Sequence, residues 1–254
     1  LARFRLILEY DGTPYMGWQR QKHGPSVQGA LETALAKIDG APVTVFGAGR
    51  TDAGVHARAQ VAHCDIVKTI RGDKLRDAIN YHLGEERVSV LDAQIVPEDF
   101  HARFDARERI YLYRMIDRRP RLALDRNRVW RIPQAMSAEA MDKAAEHLIG
   151  CHDFTTFRDA QCQAKSPIKT LDYIDVERAG AEIHIHVGAR SFLHRQVRSI
   201  AGSLVEVGRG KRDPDWVADI LKAKDRAKCG PVAPAHGLYL MRVDYSDRAP
   251  APPE

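Results

Sequence analysis

Cysteine is scarce and scattered in this chain. The four residues, Cys64, Cys151, Cys162 and Cys229, form no C-x-x-C pair, which argues against a zinc ribbon or a disulfide framework and fits a reducing cytosol. Each reads as a small apolar residue. No apolar run reaches the roughly 20 residues that a membrane helix needs, and Leu1–Leu8 gives way to Glu9 and Asp11 too soon for a secretory leader. Two phosphate-binding signatures are missing: there is no G-x-x-x-x-G-K-[ST], and the chain's glycine-rich stretch carries no G-x-G-x-x-G leading into a helix. Low-complexity tracts and fixed-period repeats are absent as well.

What is present describes a globular chain. Its 254 residues, 44% hydrophobic and 29% charged, suffice for one large core or two small ones. The net charge of +5 and the pI near 9.0 are modest, but the charge is unevenly placed. Ten arginines between Arg103 and Arg131 face four acids, a local surplus of six. Six cations between Arg190 and Arg212 face Glu206 alone. Two basic stretches on a nearly balanced background suggest a polyanion footprint. Arginine outnumbers lysine 28 to 11; its planar fork suits phosphate and base stacking, although a GC-rich genome gives the same bias.

Hydrophobic spacing sets out the elements. Leu6–Tyr10 reads as a strand that ends in the turn Asp11-Gly12-Thr13-Pro14. Ser26 caps a helix with apolar positions 27, 30, 31, 34, 35 and 38, and Gly40 stops it. Val43–Phe46 and Gln60–Ile66 read as strands. Asp73 starts a helix over 74–83, and Ser89–Ile95 and Arg107–Ile116 follow as strands. In the latter, Arg107, Arg109, Tyr111 and Tyr113 share one face, a surface for stacking and phosphate contact or else a solvated edge. Arg118–Arg131 reads as an irregular linker, 138–149 as a helix capped by Ser137, and 153–167 as a long loop. A hairpin over 169–189 turns at Ala179-Gly180; its His184 and His186 point outward, and with no third ligand nearby a polar face is the simpler account than a metal site. Helices over 192–207 and 214–224, a strand over 237–245 and a frayed Pro-rich tail, Ala249–Glu254, complete the chain. In the first of these helices the apolar stripe leaves Arg195, Ser199, Gly202 and Glu206 on the opposite side, with Arg198 at its edge. Interleaved elements with hairpin-like pairs predict an α+β fold of two halves, 1–100 and 101–254.

The chain is organised around Gly47-Ala48-Gly49-Arg50-Thr51-Asp52-Ala53-Gly54-Val55-His56-Ala57. Three glycines in eight positions allow a tight loop, and a carboxylate, a guanidinium and an imidazole project from it. The stretch leads into a strand rather than a helix N-terminus, which disfavours phosphate cradling. An ordinary hairpin connection and a site with one working carboxylate remain. This stretch, continuing into Ala59-Gln60-Val61-Ala62-His63, closely resembles the catalytic loop of the tRNA pseudouridine synthase A family. Asp11-Gly12-Thr13 with Gly17-Trp18-Gln19, Phe104–Tyr113, Asp153–Phe157, Ser166-Pro167-Ile168, Ser191–Arg198 and Ala233–Leu238 resemble further motifs of that family, in its order. Cys64 stands where an aromatic is expected and Ser199 where Asn is expected; both bear on packing.

The resemblance implies the pseudouridine synthase fold: two α/β subdomains sharing a largely antiparallel or mixed sheet, helices on one side and a basic cleft on the other. It implies a cytoplasmic homodimer that converts uridine to pseudouridine at positions 38, 39 and 40 of the tRNA anticodon stem-loop, without metal, cofactor or membrane. Asp52 corresponds to the essential carboxylate and Arg198 to its basic partner, since a cation within about 4–6 Å lowers a carboxylate's pKa by about 1–3 units. Tyr111 corresponds to the ring that stacks on the target base, and Arg50 to the side chain that fills the vacated space. Thr51, His56, Arg107 and Arg109 are further candidates for substrate contact; His56 is either a proton shuttle or a loop-shaping hydrogen bonder. Whether Asp52 attacks C1′, attacks C6 or acts as a base toward a glycal stays open. Two rival readings are a non-catalytic tRNA binder and a metal-dependent hydrolase using His56, His63 and Asp52.

Overall fold

A computed structural model describes residues 1–245; the tail Ala249–Glu254 lies outside the described residues. Backbone contacts divide the described residues into two compact units, one of residues 1–107 and 240–245, the other of residues 108–239. The crossing point is seven residues beyond the boundary expected from sequence, and the C-terminal residues return to the first unit.

The first unit contains β1 (Ala2–Tyr10), α1 (Val27–Asp39), β2 (Phe46–Gly47), β3 (His56–Ile66), α2 (Gly72–Leu83) and β4 (Val88–Val96). β1 is central, pairing antiparallel with β3 (Leu6 opposite Ala62) and with β4 (Leu6 opposite Ala93). Phe4, Leu6 and Leu8 are fully buried, as are Leu31 and Leu35 of α1 and Leu75 and Ile79 of α2. Each such side chain contributes about 1.5–3 kcal/mol on burial. α1 is bounded as its sequence predicts: Ser26 Oγ accepts the Gly29 N–H, and Gly40 adopts φ 79°. Two expectations shift. Arg71, not Asp73, holds the N-cap of α2, so Asp73 sits within its first turn, where its charge favours the helix dipole. Of the 43–46 run only Phe46 pairs as a strand, together with the following Gly47.

The second unit contains β5 (Ala106–Asp117), β6 (Trp130–Ile132), α3 (Ala138–Glu146), β7 (Gly150–Asp153), β8 (Ile168–Leu171), β9 (Tyr173–Ala179), β10 (Glu182–Ala189), α4 (Gln196–Gly208) and α5 (Asp215–Ala223). β10 lies between β5 and β9, antiparallel to both, while β6 runs parallel to β5 and β7 pairs with β8. α3 packs on β9, α4 and α5. The last strand, β11 (Leu238–Tyr245), is the neighbour of β3 in the first unit's sheet. The architecture is α+β.

α3 ends at Glu146, short of the expected Ile149, because the Leu148 and Ile149 amides bond three residues back and tighten the last turn. α4 starts at Gln196, not Phe192: Arg195 adopts φ 59°, and Gln196 Oε1 takes the Leu193 amide. The side of α4 opposite its apolar stripe is partly covered. Ser199, Gly202 and Ser203 are buried, and a Cβ at Gly202 would stand 1.6 Å from the Pro231 carbonyl oxygen. The segment 229–233 fills that side, and Ser199 Oγ accepts from Arg226, so the serine found in place of Asn still bridges to a neighbour.

Candidate active site

The loop Ala48–Val55 joins β2 to β3 and is held from beneath by the first unit's N-terminal motif. The Trp18 amide donates to the Thr51 carbonyl at 3.0 Å, and the Ala48 amide to Val61 at 2.7 Å. Thr51 Oγ1 lies 2.8 Å from the Tyr10 hydroxyl, which burial pushes up to about 12, and Gln60 Nε2 donates to the Gly49 carbonyl. The Val55 amide closes a turn onto the Asp52 carbonyl, with Gly54 at φ 80°. Backbone and buried hydroxyls therefore fix Thr51 and leave Asp52 half-buried at the crown, with Arg50 exposed beside it.

His56 is the second clamp. It is 2% exposed, its Nδ1 accepts the Gly12 amide at 3.0 Å, and the same nitrogen lies 3.2 Å from Asp11 Oδ1. Asp11 also accepts from the Thr13 amide and hydroxyl and from Arg87. Burial opposes charge on Asp11, but those bonds and His56 outweigh it and hold the carboxyl below the usual range. The chain comes so close here that a Cβ on Gly12 would meet the Val55 carbonyl oxygen at 2.0 Å. These contacts favour the loop-shaping reading of His56 over a shuttle. They also explain why Asp11-Gly12-Thr13 accompanies the Asp52 loop. Tyr10 and Gln60 were not singled out from sequence; the usable signal was a glutamine set among small apolar residues in Ala59-Gln60-Val61-Ala62.

His63, offered above as a possible metal ligand, is likewise committed. It is 3% exposed, its Nδ1 accepts the Ala102 amide, and its ring stacks on Phe46 and meets His101 edge-on. Burial, with help from His101 and Arg3, lowers its pKa to about 4. The unfolded chain therefore takes up a proton near pH 6.5 that the folded chain refuses, so this term destabilises as pH falls from about 6.5 to 4. Between pH 7 and pH 4.5 this contribution amounts to a loss of about 2 kcal/mol in urea unfolding, which His63→Gln should remove. An identical pH slope in the variant would remove His63 as the cause.

In the second unit the candidates converge on the segment that leads into α4. Tyr111 of β5 is 9% exposed and meets Phe192 edge-on at 5.2 Å. Arg109, two residues earlier on the same face, donates to the Arg190 carbonyl at 2.6 Å. Arg198 is half-buried in the first turn of α4, its Nε donating to the Ala233 carbonyl at 2.8 Å while the Ala233 amide returns to the Arg198 carbonyl. Arg195, next to it, is turned to Asp159.

The expected open face of tyrosines and arginines on β5 is corrected by this packing. Arg109 and Tyr111 are buried, and Tyr113 is fully buried with its hydroxyl on the Pro234 carbonyl. Arg114, on the other face, is locked to Glu182 at 2.7 Å. The basic cluster is therefore thinner than its sequence suggests. Arg107 and Arg103 remain exposed, as do Arg118, Arg119, Arg121, Arg126 and Arg128. Cys64 is buried, and burial pushes its thiol up to about 12, which leaves it an inert packing group.

A sequence model of the family described as tRNA pseudouridine synthase matches residues 6–105 and 144–246. The chain belongs to this family. It is 61% identical over 245 residues to the tRNA pseudouridine synthase A of Maricaulis maris, covering 96% of this chain and 98% of that protein. The same protein of Rhodopseudomonas palustris (strain BisA53) is 59% identical, with 96% and 100% covered. That of Paramagnetospirillum magneticum is 56% identical, with 97% and 96% covered. The matched family segments contain the clamped loop with Asp52 and the α4 turn with Arg198, whereas Arg107, Arg109 and Tyr111 fall between them. No helix among the described residues is long and apolar enough to cross a membrane.

Proposed function

We propose that this protein isomerises uridine to pseudouridine in tRNA, at positions 38, 39 and 40 of the anticodon stem-loop, with Asp52 as the essential carboxylate. The observation that carries this is a half-buried aspartate on a rigidly clamped loop in a chain of the tRNA pseudouridine synthase family. The reaction breaks N1–C1′, turns the uracil and joins C5 to C1′; N1 gains a proton and C5 loses one. Redox chemistry and an external group donor are not required. A nucleotide inside a stacked stem must first be extruded, and a preorganised loop supplies charge at the sugar or base without rearranging as the reaction proceeds.

In this reading Tyr111 stacks on the flipped base, Arg50 takes the vacated space and Arg198 is the basic partner of Asp52. Thr51 holds the loop through Tyr10, and Arg107 contributes to phosphate contact. The enzyme acts as a cytoplasmic homodimer. The test is tritium release from tRNA carrying 5-³H uridine, with substrates in which positions 38, 39 and 40 are replaced by cytidine in turn. Release that persists with all three replaced would move the activity elsewhere in the tRNA.

Two variants extend the assay. Tyr111→Ala should lose about 1–3 kcal/mol of stacking, a decrease of roughly 5- to 150-fold in kcat/KM, whereas Tyr111→Phe keeps the ring and most of the activity. Equal rates for Ala and Phe would deny the stacking role. Arg198→Ala should slow release; an unchanged rate would exclude it as the partner of Asp52. Affinity should fall steeply between 50 and 200 mM salt through release of counterions, and a flat response would remove the basic stretches from the footprint.

A further inference from the structure

The hairpin of β9 and β10 brings together three metal-ligating side chains that the proposed reaction does not use. Its two-residue connection, Gly180-Ala181, sets Glu182 opposite Ala179, and the register then puts His184 opposite Glu177 and His186 opposite Asp175. Residues two apart share a face, so Glu177, His184 and His186 project from one patch of the sheet. One ligating atom from each lies within 4.8 Å of the others. His186 Nε2 is 3.3 Å from Glu177 Oε1. Metal–nitrogen and metal–oxygen bonds of about 2.0–2.2 Å in a tetrahedral site place ligand atoms about 3.3–3.5 Å apart, so this edge already has the required length.

The remaining edges need side-chain movements of about 1 Å, which the surroundings permit. The Glu177 side chain is 63% exposed and that of His186 is 35% exposed. His184 is the anchored member. Its Nε2 lies 2.8 Å from Glu182 Oε2, and Glu182 is gripped by both ends of the Arg114 guanidinium at 2.7 and 2.9 Å. A carboxylate that orients a histidine ring is the usual outer support of a metal-binding imidazole. Among the described residues this is the one group of three or more His, Cys, Asp or Glu side chains close enough to share an ion.

We propose that Glu177, His184 and His186 form a surface site for a divalent transition cation of the zinc class, which ties β9 to β10. Two imidazoles and one carboxylate suit zinc, nickel or copper and do not suit magnesium or calcium, which prefer all-oxygen shells. One ligand comes from β9 and two from β10, so the ion cross-links the hairpin and stabilises the folded chain in proportion to its occupancy.

The test is calorimetric titration of the full-length protein with zinc chloride at pH 7.5, with a cobalt(II) absorption spectrum as a second readout. We expect one equivalent to bind, cobalt bands of a low-coordinate N/O site, and a melting midpoint raised by about 5 °C at a 100-fold excess over Kd. His186→Gln and Glu177→Gln, both at accessible positions, should each weaken binding at least tenfold and leave far-UV circular dichroism and tRNA turnover unchanged. Zinc affinity equal to wild type in both variants would place the ion on other ligands and overturn the assignment. So would the absence of binding at 100-fold molar excess, or magnesium binding as tightly as zinc.

Discussion

Asp52→Asn is expected to reduce tritium release from uridine-labelled tRNA by about 10³-fold or more, an activation penalty of at least ~4 kcal/mol, with no loss of tRNA binding. Asparagine has nearly the same shape and keeps one carbonyl oxygen, but it cannot act as an anionic nucleophile or a base. The loop should persist in the variant because backbone and neighbouring side-chain contacts hold it. The Asp52 carbonyl accepts from the Val55 amide, the neighbouring Thr51 is held by Trp18 and Tyr10, and His56 is held by Gly12. Binding could even strengthen with one negative charge removed from an RNA-facing surface. Release and binding must therefore be measured on the same preparation. Equal turnover in variant and wild type would end the assignment of Asp52, and binding without turnover in the wild type would leave a tRNA-binding protein as the better reading. Turnover that vanished on adding a chelator would favour the metal-dependent hydrolase.

Gly12→Ala carries the second large effect, although Gly12 bears no functional group. Its added methyl would start 2.0 Å from the Val55 carbonyl oxygen and 2.6 Å from the carbonyl carbon. Both obstacles are backbone, so no side-chain rotation relieves the clash. Either the Asp11–Thr13 turn or the loop must move, and the Gly12 amide that caps His56 moves with it. Overpacking of this kind costs about 1–3 kcal/mol of stability, and a displacement of about 1 Å at reacting groups costs on the order of 10²-fold in rate. The expected result is a lower urea midpoint together with a roughly 10²-fold fall in kcat. A variant with wild-type stability and turnover would show that the loop tolerates displacement and that the clamp has no bearing on rate.

The two predictions differ in how visible their cause was in the sequence. Asp52 was legible because its chemistry is local: the loop's glycines, its flanking strands and its resemblance to one family's catalytic stretch all lie within about twenty residues. The Ser26 cap and Gly40 stop of α1 were legible for the same reason, since capping depends on neighbours three or four positions away. Gly12 was visible only as a motif residue, and its contact with Val55 crosses more than forty positions.

Elsewhere periodicity fell short in a consistent way. It identified the apolar side of α4 correctly but gave no account of what meets Ser199 and Gly202 opposite it, because a repeat within one helix carries no information about a segment from elsewhere covering its other side. The packing of the arginine and tyrosine face of β5 was out of reach for the same reason, since Arg109 is satisfied by a carbonyl eighty-one residues away. His184 and His186 lacked a third ligand until strand register set Glu177 opposite His184, on the same face as His186. By itself the sequence determined the α+β class, the candidate carboxylate Asp52 and both ends of α1, all governed by short-range geometry. Tertiary structure alone decided which polar groups are buried, what holds the Asp52 loop and which charges stay exposed, because desolvation and hydrogen-bond satisfaction depend on whichever chain segment lies closest in space.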